Sequence, residues 1–155
     1  MYKKLILIFI VLLSISTYAQ DYSFEKVDSL MQIEKRPIII FLHTDWCRYC
    51  KMMEKTTLNT AEVKHILEND FYFIKFNPEV KQDITFNGNT FKYIPSGQNT
   101  GMNELASQIG VVEGKISYPT ICVLNSKYEI VFQMNSYQSY EEFLVILKKI
   151  RQHVR

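Results

Sequence analysis

The stretch that decides the fold is FLHTDWCRYCKMMEK, residues 41–55. Cys47 and Cys50 are separated by two residues and directly follow a tryptophan. The apolar run PIIIFL, residues 37–42, precedes them and is typical of a strand buried on both faces. The segment CRYCKMMEKTTL consists largely of good helix formers. The cysteine pair is therefore predicted at the junction between a buried strand and a helix.

A helix N-terminus favours a reactive thiol, because its free N–H groups and positive dipole end stabilise a thiolate. We predict that Cys47 attacks a partner disulfide and that Cys50, one helical turn later, attacks the mixed disulfide to release the product. The guanidinium of Arg48 favours the thiolate, whereas the carboxylate of Asp45 opposes it.

Other interpretations of the cysteine pair have less support. A closed zinc site needs four ligands, but His43, His65 and His153 are scattered along the chain. Binding of Cu(I) by two soft thiolates stays open as an alternative. A purely structural disulfide stabilises little here, because it closes a very short loop. We therefore expect no metal and no cofactor other than the redox-active pair itself.

The rest of the chain alternates helical and strand patterns. Ser23 can cap a first helix, and Ser139 with Glu142 forms a capping box for the last. This order predicts an α/β sandwich with a small mixed sheet covered on both faces. The further strands are expected in FYFIKFN, PTICVLN and YEIVFQM.

Residues 80–114 form an insertion that is less regular. Its DITFNGNTFKYI segment has two β-rich runs around Asn87-Gly88-Asn89, a strong hairpin signal because Asn and Gly adopt positive φ readily. PSGQNTG is predicted as a loop, and MNELASQIG as a short helix ended by Gly110. The insertion either shapes a partner surface near the cysteines or is a packed decoration.

The first residues match a secretory signal. MYKK is basic, LILIFIVLLSIS is shorter than the roughly 20 apolar residues of a membrane span, and small Thr17 and Ala19 precede the expected cleavage site. We predict a signal peptide in residues 1–19 and a single exported domain in residues 20–155, periplasmic in a Gram-negative bacterium. The alternative is an uncleaved membrane anchor.

Charge and cysteine content exclude several classes of protein. Removing residues 1–19 takes away Lys3 and Lys4, which leaves 16 basic against 16 acidic residues. A neutral domain without a basic run is not expected to bind nucleic acid or an anionic membrane. Three cysteines are too few for a disulfide-stabilised scaffold. Cys122, within TICVLN, is expected to be an inert core thiol, with a third redox thiol as the alternative.

Two motifs carry a family resemblance. Trp46-Cys47-Arg48-Tyr49-Cys50-Lys51 after a buried strand, and Tyr118-Pro119-Thr120 at the start of a later one, resemble the thioredoxin superfamily. DWCxxCK followed by a Met- and Glu-containing helix is similar to exported thioredoxin-like proteins and to the C-terminal domain of thiol:disulfide interchange proteins. The resemblance extends from Phe24 to Arg151. It implies a three-layer thioredoxin-like sandwich with the hairpin-containing insertion before the cis-proline strand.

The resemblance also implies roles for single residues. Pro119 matches the family's cis-proline, beside the dithiol, and Tyr118 then occupies a substrate-contact position; the alternative is an ordinary strand-opening proline. Trp46 is expected to shield and orient the dithiol; the alternative is a plain core aromatic, and the two are compatible. Arg48 and Tyr49 stand between the cysteines, where thioredoxin has Gly-Pro, and both are expected to bind substrate or support the active site.

One departure from the family affects the mechanism. Thioredoxins usually carry a buried Asp six residues before the first cysteine, and here this position is Phe41. Another proton acceptor must then serve Cys50, and we expect Asp45, Glu54 or water. His43 is a further candidate, although a lone histidine at a strand end is more often a packed residue.

The sequence thus predicts an exported thiol–disulfide oxidoreductase, monomeric and without stable membrane insertion after signal cleavage. Its partners are expected to be protein thiols or disulfides and a redox partner protein. Two alternatives stay open: a protein that binds or delivers Cu(I), and a non-catalytic interaction module whose hairpin insertion binds a partner. The residues are compatible with a reductase, an oxidase or an isomerase.

Overall fold

The structure is a computed structural model and describes residues 21–154. The predicted signal peptide, residues 1–19, lies outside the described residues. No helix within residues 21–154 is long and apolar enough to cross a membrane.

Helices and short strands alternate along the chain, and a π-helical turn (Glu54–Leu58) directly continues the second helix. The helices are α1 (Phe24–Met31), α2 (Arg48–Met53), α3 (Ala61–Asp70), α4 (Glu104–Ile109) and α5 (Tyr140–His153). The strands are β1 (Ile38–Leu42), β2 (Tyr72–Phe76), β3 (Ile84–Phe86), β4 (Asn89–Phe91), β5 (Tyr93–Pro95), β6 (Gly101–Asn103), β7 (Val111–Val112), β8 (Lys115–Ile116), β9 (Thr120–Leu124) and β10 (Ile130–Met134).

A mixed four-stranded sheet in the order β10-β9-β1-β2 forms the central layer. β1 pairs in parallel with β2 and antiparallel with β9, which in turn pairs antiparallel with β10. Every residue of β1 and β9 is buried, as expected for strands covered on both faces. The predicted mixed sheet is therefore confirmed.

The two faces of the sheet carry separate helical layers. Successive side chains of a strand point to opposite faces. Ile38, Ile40 and Leu42 of β1 accordingly pack with α1 and α4, whereas Ile39 and Phe41 pack with α2, α3 and α5. This arrangement confirms the three-layer α/β sandwich.

The insertion contains two small hairpins, α4 and the first strand of a third hairpin. β3 and β4 meet at Asn87 and Gly88, whose φ angles are 50° and 71°, as the Asn-Gly signal predicts. PSGQNTG, predicted as a loop, is the loop of a second hairpin, and only its first and last residues lie in β5 and β6. Its strands are three residues long, too short for a period-two pattern to reveal them. β7 and β8 form the third.

Candidate active site

The cysteine pair lies where β1 gives way to α2. Cys47 is the N-cap residue of α2, and its Sγ accepts a hydrogen bond from the Cys50 N–H at 3.1 Å. The two sulfurs form a disulfide, with the Cα atoms 5.3 Å apart. Both residues are buried, with 4% and 1% of their surface exposed. A backbone donor therefore points at the sulfur that was predicted to be the nucleophile.

The Tyr118–Pro119 peptide bond is cis and lies at the same end of the sheet. Thr120, the next residue, is opposite Leu42 in the antiparallel register of β1 and β9. Its hydroxyl donates to the Ser117 carbonyl at 2.7 Å, which closes the turn. Burial, together with the negative charge of Glu79, raises the pKa of Tyr118 to about 12.

Trp46 forms the exposed edge of the site. Its indole Nε1 donates to the two carboxylate oxygens of Glu79, at 3.0 and 3.2 Å. Its ring lies edge-on to Tyr118, with centroids 6.0 Å apart. Because 65% of Trp46 is exposed, the alternative of a core aromatic is wrong. Trp46 and Tyr118 are therefore the aromatic surface next to the dithiol.

The loops after β1 and β2 are joined by side-chain hydrogen bonds. The Asp45 carboxylate accepts from the Asn77 amide at 3.2 Å, and the Asn77 side-chain oxygen accepts from the Glu79 N–H at 3.0 Å. These contacts, with the Glu79–Trp46 bond, connect the two strand ends. Asp45 is exposed and takes part in this surface network.

A carboxylate and an ammonium group lie on the dithiol face near Phe41. Phe41 is fully buried and is opposite Lys75 in the parallel register of β1 and β2. Lys75 projects to the same face as Phe73, which packs with the cysteines. Its Nζ is 2.7 Å from the Glu54 carboxylate and 4.0 Å from that of Asp21. The π-helical turn therefore places the carboxylate of Glu54 on this face of the sheet.

His43 is packed beside this pair. Its ring stacks on Phe41, with centroids 5.7 Å apart. Its backbone N–H donates to the Phe76 carbonyl at 3.0 Å. Burial lowers the pKa of His43, and the charge of Glu54 partly opposes that effect. These contacts agree with the packed role preferred for His43.

The first turn of α2 presents side chains to solvent beside the dithiol. Arg48 is exposed, Tyr49 is 63% exposed and Met52 is 40% exposed. The structure thus brings the predicted support residues Trp46, Arg48, Tyr49, Tyr118 and Pro119 to one end of the sheet. Among residues 21–154, no group of three or more His, Cys, Asp or Glu side chains is arranged to hold a metal ion.

Comparison with known families decides the relationship that the motifs suggested. The sequence profile of the thioredoxin-like domain family matches residues 24–151. The chain belongs to this family. Comparison with curated protein sequences gives no significant match.

Solved structures of other proteins share the thioredoxin-like fold. A thioredoxin from Thermus thermophilus is 22% identical with a TM-score of 0.61, over 84% of this chain and 85% of that one. A DsbH oxidoreductase is 18% identical with a TM-score of 0.60, over 88% and 85% of the two chains. The reduced C-terminal domain of DsbD from Neisseria meningitidis is 19% identical with a TM-score of 0.50, over 79% and 87%. The predicted membership of the thioredoxin superfamily is confirmed.

The third cysteine of the thioredoxin-like domain lies across the sheet from the other two. Cys122 is fully buried and packs with α1 and α4, whereas Cys47 and Cys50 pack on the opposite face. Burial raises the pKa of the Cys122 thiol to about 12. Its burial and its raised pKa both favour the protonated, less reactive form of the thiol at neutral pH.

Three residues near the dithiol were missed at the level of sequence. Lys75 had a signal, since it is the one charged residue in the apolar run FYFIKF. Glu79 and Met102 had none, because neither lies in a motif and their neighbours come from distant segments. The Tyr118 hydroxyl contacts the Met102 sulfur at 3.8 Å, which brings the insertion to the cis-proline.

Proposed function

We propose that this thioredoxin-like protein is an exported thiol–disulfide oxidoreductase that exchanges disulfides with protein substrates. The observation that carries the proposal is the Cys47–Cys50 disulfide at the start of α2, with the Cys50 N–H directed at the Cys47 sulfur. A thiolate at that position gains a charge-assisted hydrogen bond on reduction.

The exchange proceeds in two steps. The Cys47 thiolate attacks one sulfur of a substrate disulfide, forms a mixed disulfide and displaces the other substrate sulfur as a thiolate. Cys50 then loses its proton and attacks the Cys47 sulfur, which releases the second substrate thiolate and closes the Cys47–Cys50 disulfide. Two electrons pass to the substrate. The reverse sequence oxidises a substrate dithiol.

Glu54 is the group that we assign as proton acceptor for Cys50. It lies on the dithiol face, and Lys75 places a positive charge 2.7 Å from its carboxylate. Asp45, the other candidate, is exposed and lies in the surface network that joins the loops after β1 and β2, whereas Glu54 is only partly exposed. The location of Glu54 in the layer that contains Cys50 favours it for the proton transfer.

The surface around the dithiol is assigned to the substrate. Tyr118 and Pro119 contact its backbone as the cis-proline loop of the family implies, and the exposed Trp46, Arg48 and Tyr49 contact its side chains. A redox partner protein restores the dithiol, and no cofactor beyond the cysteine pair is needed. The signal pattern of residues 1–19 supports export, to the periplasm in a Gram-negative bacterium. We propose that the exported protein acts as a monomer.

The test is reduction of insulin disulfides with dithiothreitol as electron donor. We expect the wild-type protein to accelerate insulin precipitation and Cys47→Ser to return the rate to the uncatalysed background. Reduced Cys50→Ala protein, freed of dithiothreitol before insulin is added, should instead accumulate a covalent mixed disulfide with the substrate, visible by non-reducing electrophoresis. Activity retained by Cys47→Ser would contradict the proposal.

A further inference from the structure

A groove of about 680 Å³ opens next to the dithiol, between the active-site loops and the insertion. Trp46 and Glu79 line it from the loops after β1 and β2, and Ile94 and Met102 line it from the β5–β6 hairpin. Glu104, at the start of α4, lines it as well. Its size is within the usual range of ligand sites.

The groove is continuous with the dithiol surroundings at two points. Trp46 is covalently adjacent to Cys47, and the Tyr118 hydroxyl contacts the Met102 sulfur at 3.8 Å. A polypeptide whose cysteine is bonded to Cys47 therefore reaches the groove within about two to four residues, at roughly 3.3 Å per extended residue. The groove is placed for the chain that flanks a reacting cysteine.

The charge of the groove is negative. Glu79 and Glu104 line it, and no lysine or arginine among residues 21–154 does so. Among residues 21–154, the Glu79 carboxylate accepts only from the neutral indole of Trp46, and the Glu104 carboxylate accepts from the Lys92 backbone N–H at 2.7 Å. The Lys92 ammonium is directed to Asp83, at 2.8 Å.

Within residues 21–154, neither groove carboxylate forms an ion pair. Lys92 interacts with Glu104 only at longer range, since its ammonium is paired with Asp83. A cation brought by a ligand therefore meets two negative charges that form no ion pair among the described residues, next to exposed apolar surface. Ile94 is 49% exposed, and the Trp46 ring offers a face for a cation. A lysine or arginine side chain matches both features, because its apolar stem packs on such surface while its head reaches the carboxylates.

We propose that the groove binds a positively charged segment of the substrate polypeptide, a few residues from the cysteine that reacts with Cys47. This inference rests on the proposed thiol–disulfide exchange and adds a substrate preference to it. The insertion thus selects among cysteines by the charge of the sequence around them. Acidic segments are disfavoured by repulsion from Glu79 and Glu104.

The test uses Cys50→Ala, in which Cys47 has no resolving partner, and three peptides. Each peptide has one central cysteine carrying thionitrobenzoate, flanked by lysines, glutamines or glutamates. The Cys47 thiolate attacks the peptide sulfur, forms the mixed disulfide and displaces the thionitrobenzoate thiolate, whose absorbance gives the rate.

We expect the lysine peptide to react about three to ten times faster than the glutamine peptide at low salt, and the glutamate peptide more slowly. Introducing Glu79→Gln and Glu104→Gln into the Cys50→Ala protein should remove this preference. Glu129→Gln is the matched control: it removes one charge at the opposite end of the sheet, between β9 and β10, and should keep the preference.

The experiment distinguishes failure of the groove assignment from failure of the proposed function. Equal rates for the three peptides, or a lysine preference that survives in the Glu79→Gln/Glu104→Gln protein, would overturn the groove assignment and leave the exchange reaction standing. If Cys47 releases thionitrobenzoate from the glutamine peptide no faster than free cysteine does, the proposed function itself fails, and the substrate preference fails with it.

Discussion

The side chain at position 41 decides how charge is distributed beneath the dithiol. A phenylalanine there is fully buried and avoids the cost of placing a carboxylate within an apolar layer. The acid comes instead from Glu54, whose side chain is 27% exposed and is paired with Lys75. In the proposed mechanism, the proton acceptor therefore lies on a helical turn that water can reach and not on a central strand.

Replacing Glu54 by glutamine tests whether this carboxylate accepts the proton of Cys50. We expect attack by Cys47 to keep its rate, and release of substrate by Cys50 to slow by about tenfold to a hundredfold, because the proton of Cys50 loses its acceptor. Single-turnover kinetics with a fluorescent substrate disulfide would show the mixed disulfide accumulating.

Asp45→Asn provides the comparison for that experiment, since it removes the other candidate carboxylate. Its release step should match that of the wild-type protein. Slow release in Asp45→Asn together with normal release in Glu54→Gln would reverse the assignment. Thermal unfolding of both variants checks the fold, because a partly exposed ion pair contributes about 1 kcal/mol or less.

The chain just before α5 anchors the segment that follows the cysteines. The Thr57 hydroxyl donates to the Gln138 carbonyl at 2.8 Å, and the Thr56 and Tyr137 hydroxyls are 3.2 Å apart. The π-helical turn after α2 is therefore attached to the chain just before Ser139, the N-cap of α5. The start of α5 thus influences the position of the dithiol helix.

Removal of the α5 cap should weaken this attachment. Ser139 accepts from the Glu142 N–H, and the Glu142 carboxylate accepts from the Ser139 N–H, in a complete capping box. We expect Ser139→Ala to lower the free energy of unfolding by about 1 kcal/mol and Tm by about 2–4 °C. Ser139→Asp retains the acceptor and should stay near wild type; an equal loss in both variants would contradict a capping role.

Elements with strong local signals were predictable, and those formed by distant contacts were not. Ser23 and Ser139 cap helices as expected, and Asn87-Gly88 forms its turn. Thr60 occupies the N-cap of α3, but its hydroxyl donates to the Thr57 carbonyl instead of accepting from the helix. The π-helical turn had no signal, because its geometry depends on its attachment to the chain before α5.

The same distinction applies to the candidate site. The cysteine pair and Tyr118-Pro119 were found because they form motifs within a few residues. Glu79 was not, because its position against Trp46 depends on how the ends of two parallel strands are placed. Contacts between residues at the ends of different strands can be predicted only after the register of the strands is known.

The whole molecule is divided by its sheet into a layer that contains the dithiol and a layer that does not. Cys122 belongs to the second layer, so Cys122→Ala should leave insulin reduction unchanged while lowering stability by about 1 kcal/mol. Thiol titration should find Cys122 slow to react in the native oxidised protein and fully reactive in denaturant. Loss of disulfide exchange in Cys122→Ala, with the fold intact, would show that the third thiol participates.

The position of Trp46 has an optical consequence. It is the single tryptophan of the chain, and it adjoins the disulfide through a peptide bond. An indole next to a sulfur–sulfur bond loses emission by electron transfer to that bond. We therefore expect the intrinsic fluorescence of the protein to report its own oxidation state, readable without a dye and in the presence of any partner that lacks tryptophan.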